Sequence, residues 1–174
     1  ALSVHLAKFQ KSRRPLPDPS ANILALYQGN NSQLLSWIWY FLREEIEKIQ
    51  PGLPARLRGL LQERALDPYL ERDDFWWMGF DKTSKRKINN WNPWCNQNQL
   101  LCFMLLENDR DVLAQAVEKS MLSLDKYLNI IAADGACDEG TTYWYKSTAY
   151  VMDYAKYMNM LTNGKVAFLH NDLV

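Results

Sequence analysis

The sequence predicts an all-α protein built from antiparallel helical hairpins. Apolar residues recur at spacings of three and four along several long segments, which is the period of an α-helix. Almost no segment alternates apolar and polar residues as a strand does, and the segments between helices are short and rich in Pro, Gly or Asn. No internal repeat is visible, so a solenoid is disfavoured. The 174 residues correspond to about one domain.

The first half of the chain is predicted to contain a Pro-rich loop and two helices. Residues 1–10 are typical of the end of a helix, and residues 11–20 carry three prolines, which break helices. An amphipathic helix is expected from Asn31 to Ile49, with Ser32 as its N-cap and Pro51-Gly52 after its end. Its expected core-facing stripe consists of Leu34, Ile38, Phe41, Leu42, Ile46 and Ile49. A second helix is expected over about residues 54–70.

Three more helices are predicted in the second half. The first covers residues 93–106, and its run 100–106 is apolar on every side, which predicts burial on most sides. The next covers residues 109–131 and has the clearest helical period. After a glycine-containing turn, a Tyr-rich helix is expected over residues 142–161. Residues 165–170 are expected to form a short strand or a docked tail.

The composition excludes several classes of partner and site. Twenty basic and twenty acidic side chains cancel, so a wholly basic nucleic-acid surface is not expected. No apolar run approaches the roughly 18 residues that cross a bilayer. The three cysteines form no CxxC pair and have no His at metal-ligand spacing, so no metal and no cofactor is predicted. Cys95 and Cys102 lie seven residues apart and are expected to be buried on one helix face.

The first of two polar, aromatic clusters runs from Asn89 to Asn98 and holds five Asn and one Gln. Asn is a poor helix former, and amides donate and accept hydrogen bonds, which suits sugar hydroxyls and carboxylates. The alternative, that these amides cap helices and satisfy loops, stays open. Four cations precede the cluster and would attract an anionic substrate if they lined a cleft: Lys82, Lys85, Arg86 and Lys87.

The second cluster covers residues 134–145 and places Asp138 and Glu139 before the Tyr-rich helix. These acids either stabilise the positive end of the helix dipole or form a ligand site with Tyr143. The phenol of Tyr143 can act as general acid or base when its pKa suits the task. Asp74 lies beside another aromatic run and offers a second carboxylate, which a glycoside hydrolase would pair with Glu139.

The segments NNWNPWCNQNQLL and ADGACDEGTTYWYKSTAYVMDY together resemble the helical domain of heparinase II/III-like polysaccharide lyases. The similarity is most specific over about residues 75–155. The resemblance implies that the hairpins form part of an (α/α) toroid that binds an acidic polysaccharide. It further implies a carbon–oxygen lyase that cleaves a uronate-containing chain, of heparin or heparan type or similar, by β-elimination. A periplasmic or secreted location follows from the same resemblance.

The resemblance also assigns roles to residues of this chain. Asn90 matches the amide that neutralises the uronate carboxylate, which makes the C5 proton acidic enough to remove. Tyr143 matches the catalytic Tyr, and Glu139 matches the acid that organises the site. The expected substrate-binding residues are Asn89, Trp91, Trp94, Asn98, Trp144 and Arg86.

The chain also departs from this family's pattern. Many relatives have His where this chain has Trp91, and several have Gln-Ser-Pro at residues 140–142. These relatives carry a C-terminal β-sheet region that supplies a further catalytic His, and nothing here corresponds to it. We therefore expect residues 1–174 to be one helical domain of a larger lyase, with that region as a partner and with little activity alone.

Two other functions remain open on the sequence. The first is a non-catalytic helical scaffold that binds carbohydrate, in which Trp91, Trp94 and Trp144 stack on sugar rings. The second is an (α/α) toroid glycoside hydrolase that uses acids such as Asp74 and Glu139. The chemistry of the product separates the hydrolase from the lyase.

Overall fold

The structure is a computed structural model that describes residues 24–132, 134–137 and 139–166. The expected helix end over residues 1–10 and the Pro-rich loop over residues 11–20 lie outside this range. Most of the strand expected at 165–170 also lies outside it, and its described part, Lys165 and Val166, is not in a strand.

Five helices and no strand make up the described residues, which confirms the all-α prediction. The helices are α1 (Leu26–Ile49), α2 (residues 53–71), α3 (Trp91–Leu106), α4 (Arg110–Leu128) and α5 (Thr141–Leu161). Helix α2 is continuous but changes pitch, because a π-helical turn over Gln62–Leu66 separates its α-helical parts, Leu53–Leu61 and Asp67–Glu71. A short 3₁₀ turn, Trp76–Met78, lies between α2 and α3. No helix of the described residues is long and apolar enough to cross a membrane.

Helix α1 differs from its prediction at its start and in the face it buries. It begins at Leu26, and Ser32 is not a cap but a buried residue within it, whose hydroxyl donates to the Gln28 carbonyl at 2.7 Å. Most of the expected core stripe faces solvent instead, since Leu34 is 58% and Phe41 is 68% exposed, and of the six residues only Ile38 and Ile46 are partly buried. The buried face consists of Gln28, Gly29, Ser32 and Ser36.

Close packing explains why small residues line this face of α1. A Cβ atom added at Gly29 would lie 3.0 Å from Nδ2 of Asn98, so the backbone of α1 approaches the side chains of α3 closely. Large apolar residues at this crossing would hold the two helices apart. The prediction of the core face of α1 was therefore wrong.

Helix α3 lies between α1 and α5 and is buried on most sides, as its apolar C-terminal half predicted. Asn30 contacts Asn98 and Ser36 contacts Cys102, so α1 and α3 run in the same direction. Helices α2 and α4 run back against their predecessors, and the indole N–H of Trp39 donates to the Pro54 carbonyl at 3.1 Å across the first hairpin. The described residues thus form helical hairpins, and their closure into a toroid stays a proposal.

Two apolar clusters hold these helices together. The larger one joins α2, the 3₁₀ turn and α3 around Leu61, Tyr69, Trp77 and Phe103. The smaller one joins α3, α4 and α5 around Leu100, Leu124, Tyr154 and Met158. Both clusters include residues of α3, so this helix fixes the relative positions of its neighbours and of the loops before α3 and α5.

Candidate functional site

The two polar clusters of the sequence meet where α3 and α5 begin. The side-chain amide of Asn90 donates to Oε2 of Glu139, and that of Asn89 donates to Oε1 of the same carboxylate at 3.2 Å. The backbone N–H of Asn90 also points at Oε2, at 3.5 Å. Residues that are about fifty positions apart in the chain therefore form one amide–carboxylate group.

Local backbone geometry places these groups at the helix starts. Gly140 has φ 87° and ψ 178°, a conformation that is essentially restricted to glycine, and it turns the chain from Glu139 into α5. At α3, Oδ1 of Asn89 accepts the backbone N–H of Trp91 at 3.1 Å, which fixes the turn that enters the helix. The Glu139 carboxylate lies beside the N-termini of both helices, where the helix dipoles stabilise negative charge.

The members of this group differ in exposure. Asn90 is only 1% exposed, and its Oδ1 has no hydrogen-bond partner among the described residues. Asn89 is half-buried and Glu139 is exposed. Tyr143 lies one helical turn after Glu139 and is 42% exposed. A ligand in solvent can therefore reach Asn89, Glu139 and Tyr143 directly. Asn90 is buried and contacts Glu139.

Trp94 is held rigidly next to this group. Its indole N–H donates to Oδ1 of Asn30 at 2.7 Å, and the Asn98 amide donates to the same oxygen at 2.9 Å. Its ring stacks on Tyr150 with centroids 4.7 Å apart and planes at 21°. Tyr150 covers part of the surface of Trp94 on which a sugar was expected to stack. Asn98 is fully buried and reaches Asn30, not solvent.

Lys146 lies between the two predicted clusters. Its Nζ is 5.5 Å from the centroid of Trp94 and 5.9 Å from that of Tyr143. Such distances are those of cation–π contacts. Lys146 therefore joins the predicted catalytic Tyr to the predicted sugar-binding Trp.

The remaining predicted substrate-binding residues lie in other surroundings. Trp91 packs on Trp76 with centroids 5.2 Å apart, and the Arg86 guanidinium lies 5.4 Å from the Trp76 ring. Trp144 is about half exposed, at 49%, and adjoins Tyr143 in sequence but on a different side of α5. Hydrogen bonds thus join Asn89 and Asn90 to Glu139, Lys146 lies between the rings of Tyr143 and Trp94, and Arg86 and Trp91 lie around Trp76.

Two amides of the first cluster have a structural role. Asn92 and Asn96 are fully buried, and Asn92 Nδ2 donates to the Trp77 and Ser123 carbonyls at 2.8 and 2.9 Å. Asn96 donates to the Ser123 hydroxyl at 2.9 Å and accepts from Tyr69 at 2.9 Å. For these two residues, the alternative that the amides satisfy loops and helices is the right one.

The carboxylate proposed for a hydrolase pair does not suit the part of a general acid. Arg72 donates to Asp74 at 2.8 Å and thereby lowers the pKa of Asp74 below its usual value. A glycosidase acid needs a raised pKa, because it must hold a proton at neutral pH.

Two grooves of the structure lie away from these residues. A shallow, apolar groove of about 400 Å³ runs along α4 and the end of α5, beside Leu113, Val117, Met121 and Leu161. None of the predicted site residues lines it. The candidate site is instead an open surface at the starts of α3 and α5.

No family model and no curated protein matches the chain. The likeness to heparinase II/III-like lyases therefore rests on the residues of the two clusters.

Sequence reasoning missed three residues that shape the site: Asn30, Lys146 and Tyr150. Lys146 and Tyr150 follow Tyr143 by three and seven positions, so helical spacing from Tyr143 would have placed them on its face. Asn30 carried no signal, because it was expected to precede α1 and not to lie within it.

Proposed function

We propose that this chain carries part of the active site of a polysaccharide lyase that cleaves a uronate-containing acidic polysaccharide by β-elimination. The observation that supports the proposal most strongly is the shared carboxylate of Glu139, which binds the Asn89 and Asn90 amides one turn before Tyr143. An amide pair, an organising acid and an exposed phenol are the groups that this reaction needs on one side of a sugar ring.

The chemistry assigns a task to each group. A hydrogen bond from the partly exposed Asn89 amide neutralises the uronate carboxylate, so that charge developing at C5 is stabilised, while the buried Asn90 amide holds Glu139 in place. Tyr143, acting as its phenolate, takes the C5 proton as the C4–C5 double bond forms and the C4–O bond breaks, and the phenol so formed returns that proton to the leaving oxygen. Glu139 touches the amides and serves to orient them, as their positioning residue.

The proposed substrate is acidic because the site offers donors and a cation at one edge. Asn89 presents its amide near solvent, and Lys146 adds a positive charge beside Tyr143. Secretion to reach an external polysaccharide, and a β-sheet region that supplies a further His, belong to the same proposal.

Replacing Tyr143 by Phe tests the proposal in the natural protein that contains these residues. The substitution removes only the hydroxyl, so polysaccharide binding should persist while formation of the ultraviolet-absorbing unsaturated uronate falls about 10²- to 10⁴-fold, the usual contribution of a general acid or base. Tyr145→Phe is the matched control, because Tyr145 is 72% exposed two residues further along α5.

Three outcomes would contradict the proposal. Unchanged turnover in Tyr143→Phe would remove Tyr143 from the mechanism. New reducing ends without a double bond would indicate hydrolysis. Binding of polysaccharide by the natural protein without any cleavage would indicate the carbohydrate-binding scaffold.

A further inference from the structure

One face of α5 combines the predicted catalytic phenol with a cation. Tyr143, Lys146 and Tyr150 follow one another at helical spacings of three and four, so they line the same side of the helix. Lys146 is exposed, and no acidic side chain of the described residues forms an ion pair with it. Its charge is therefore available to a ligand.

The surroundings of Lys146 hold its ammonium in place without neutralising it. The Lys146 Nζ lies 5.5 Å from the centroid of the Trp94 ring and 5.9 Å from that of Tyr143. Aromatic faces attract a cation but leave its N–H groups able to donate to an anion. Trp94 in turn is fixed by its hydrogen bond to Asn30 and by stacking on Tyr150. A solvated surface lysine has no such support on two sides.

Lys146 lies further along α5 from Glu139 than Tyr143 does. Three residues of helix correspond to about 4.5 Å of rise, so Lys146 faces a part of the ligand beyond the ring that Tyr143 deprotonates. The Asn89 amide remains the donor for the acid group on that ring.

We propose that Lys146 binds the acid group, carboxylate or sulfate, of the sugar next to the one that is cleaved, and so selects acidic over neutral chains. This inference rests on the proposed function, because it places the ligand on Tyr143. Trp94, with Asn30 and Tyr150 behind it, is the positioning residue for this cation.

Binding measured by calorimetry in the natural protein, made catalytically slow by Tyr143→Phe, tests the inference. The probes are an unsulfated uronate-containing hexasaccharide, its sulfated counterpart, and its carboxyl-reduced, neutral counterpart. Lys146→Gln should weaken binding of a charged probe about tenfold, as expected for one charge-assisted hydrogen bond, and leave the neutral probe unchanged. Lys146→Arg should keep most of the affinity, since the charge remains.

The unsulfated and sulfated probes distinguish the two acid groups. A tenfold loss of affinity for both probes would show that Lys146 binds the carboxylate. A loss of affinity confined to the sulfated probe would show that it binds the sulfate. Lys156→Gln is the matched control, because it removes one exposed positive charge from the same helix. It should change no affinity beyond the small effect of net charge.

The inference fails if Lys146→Gln behaves like Lys156→Gln or if it weakens the neutral probe equally. Its failure is distinct from failure of the lyase proposal, since turnover of the protein with Tyr143 intact decides the latter. If Lys146 binds charged probes selectively but no unsaturated product forms, the binding site at Lys146 is supported and the lyase proposal is contradicted.

Discussion

Replacing Asn92 by Ala should destabilise the fold more than any other single amide change in the Asn-rich segment. The Asn92 amide donates to the carbonyls of Trp77 and Ser123 at 2.8 and 2.9 Å, and its oxygen accepts from Asn96 at 3.1 Å. These bonds attach the 3₁₀ turn and α4 to the start of α3 in a region closed to water. Alanine removes all of them at once.

The size of the effect follows from these contacts. Each buried hydrogen bond contributes about 1 kcal/mol net, and a carbonyl left buried without a partner costs about 1–3 kcal/mol. The Ser123 carbonyl belongs to α4 and keeps its place in the helix, whereas the Trp77 carbonyl loses its partner. We expect a loss of about 3–4 kcal/mol, which lowers Tm by about 6–16 °C for a chain of this length.

Urea denaturation followed by tryptophan fluorescence measures this loss. Trp77 is fully buried beside the substitution, and it is one of seven tryptophans whose emission reports unfolding of the chain. Asn129→Ala is the control, because Asn129 is exposed and donates to the Asp125 carbonyl at the end of α4, so its loss should stay within about 0.5 kcal/mol. A loss below about 1 kcal/mol for Asn92→Ala would refute the network as the support of this region.

Two further predictions concern the thiols and the turn into α5. Burial raises the pKa of Cys95 and Cys102, the latter to about 12, so a thiol reagent at pH 8 should label only Cys137 in the native protein. Because these pKa values are raised in the folded state, the free energy of unfolding should be constant below about pH 9 and should fall above it by about 1.4 kcal/mol per thiol and pH unit, as measured by urea titrations. Rapid labelling of all three thiols in the native protein would contradict the burial of Cys95 and Cys102. Gly140→Ala should cost about 1–3 kcal/mol of unfolding free energy, because its backbone conformation suits only glycine. Gly59→Ala, on an open helix surface, should instead be neutral or stabilising, and equal effects of the two changes would contradict the argument.

Helix positions were predicted well wherever the chain itself marks their ends. Helix α2 was expected over residues 54–70 and spans residues 53–71, since Pro51-Gly52 separates it from α1. Helix α4 starts at Arg110 after Asp109, whose carboxylate accepts from the backbone N–H groups of Asp111 and Val112. Asp109 was nevertheless expected to be the first residue of this helix, and the one N-cap expected from the sequence, Ser32, was wrong.

The buried face of α1 could not be predicted in this way. Periodicity selects the side with large apolar residues, and α1 has those at Leu34 and Phe41. The side that packs on α3 is chosen instead by how closely the two helices approach at Gly29, beside Asn98. That choice depends on which helix becomes the neighbour, and this is a property of the tertiary fold.

The site was only partly accessible from the sequence. The resemblance selected Asn90, Glu139 and Tyr143, and the structure brings the first two into contact and places the third one turn away. Lys146 was missed because its position depends on the ring of Trp94 from another helix. Contacts between helices that are distant in the chain leave no periodic pattern in either of them.

The amides of α3 are best understood from the helices that pack around it. Asn92 and Asn96 are four residues apart and both reach Ser123 of α4, whereas Asn98 reaches Asn30 of α1. Gln97 lies on a third side and donates to the Tyr157 hydroxyl of α5 at 3.2 Å. A helix surrounded by others buries polar groups at its interfaces, and these groups then need hydrogen-bond partners from the neighbouring helices.

These partners distinguish the amides that stabilise the fold from the amides of the candidate site. Inside the bundle, the amide nitrogens of Asn92, Asn96 and Asn98 are bound to protein, so the richness of α3 in Asn does not by itself indicate a sugar site. Only at the start of the helix do amides meet an exposed carboxylate, that of Glu139. Under the lyase proposal, the reaction lies at that end of α3, near the start of α5, which carries Tyr143.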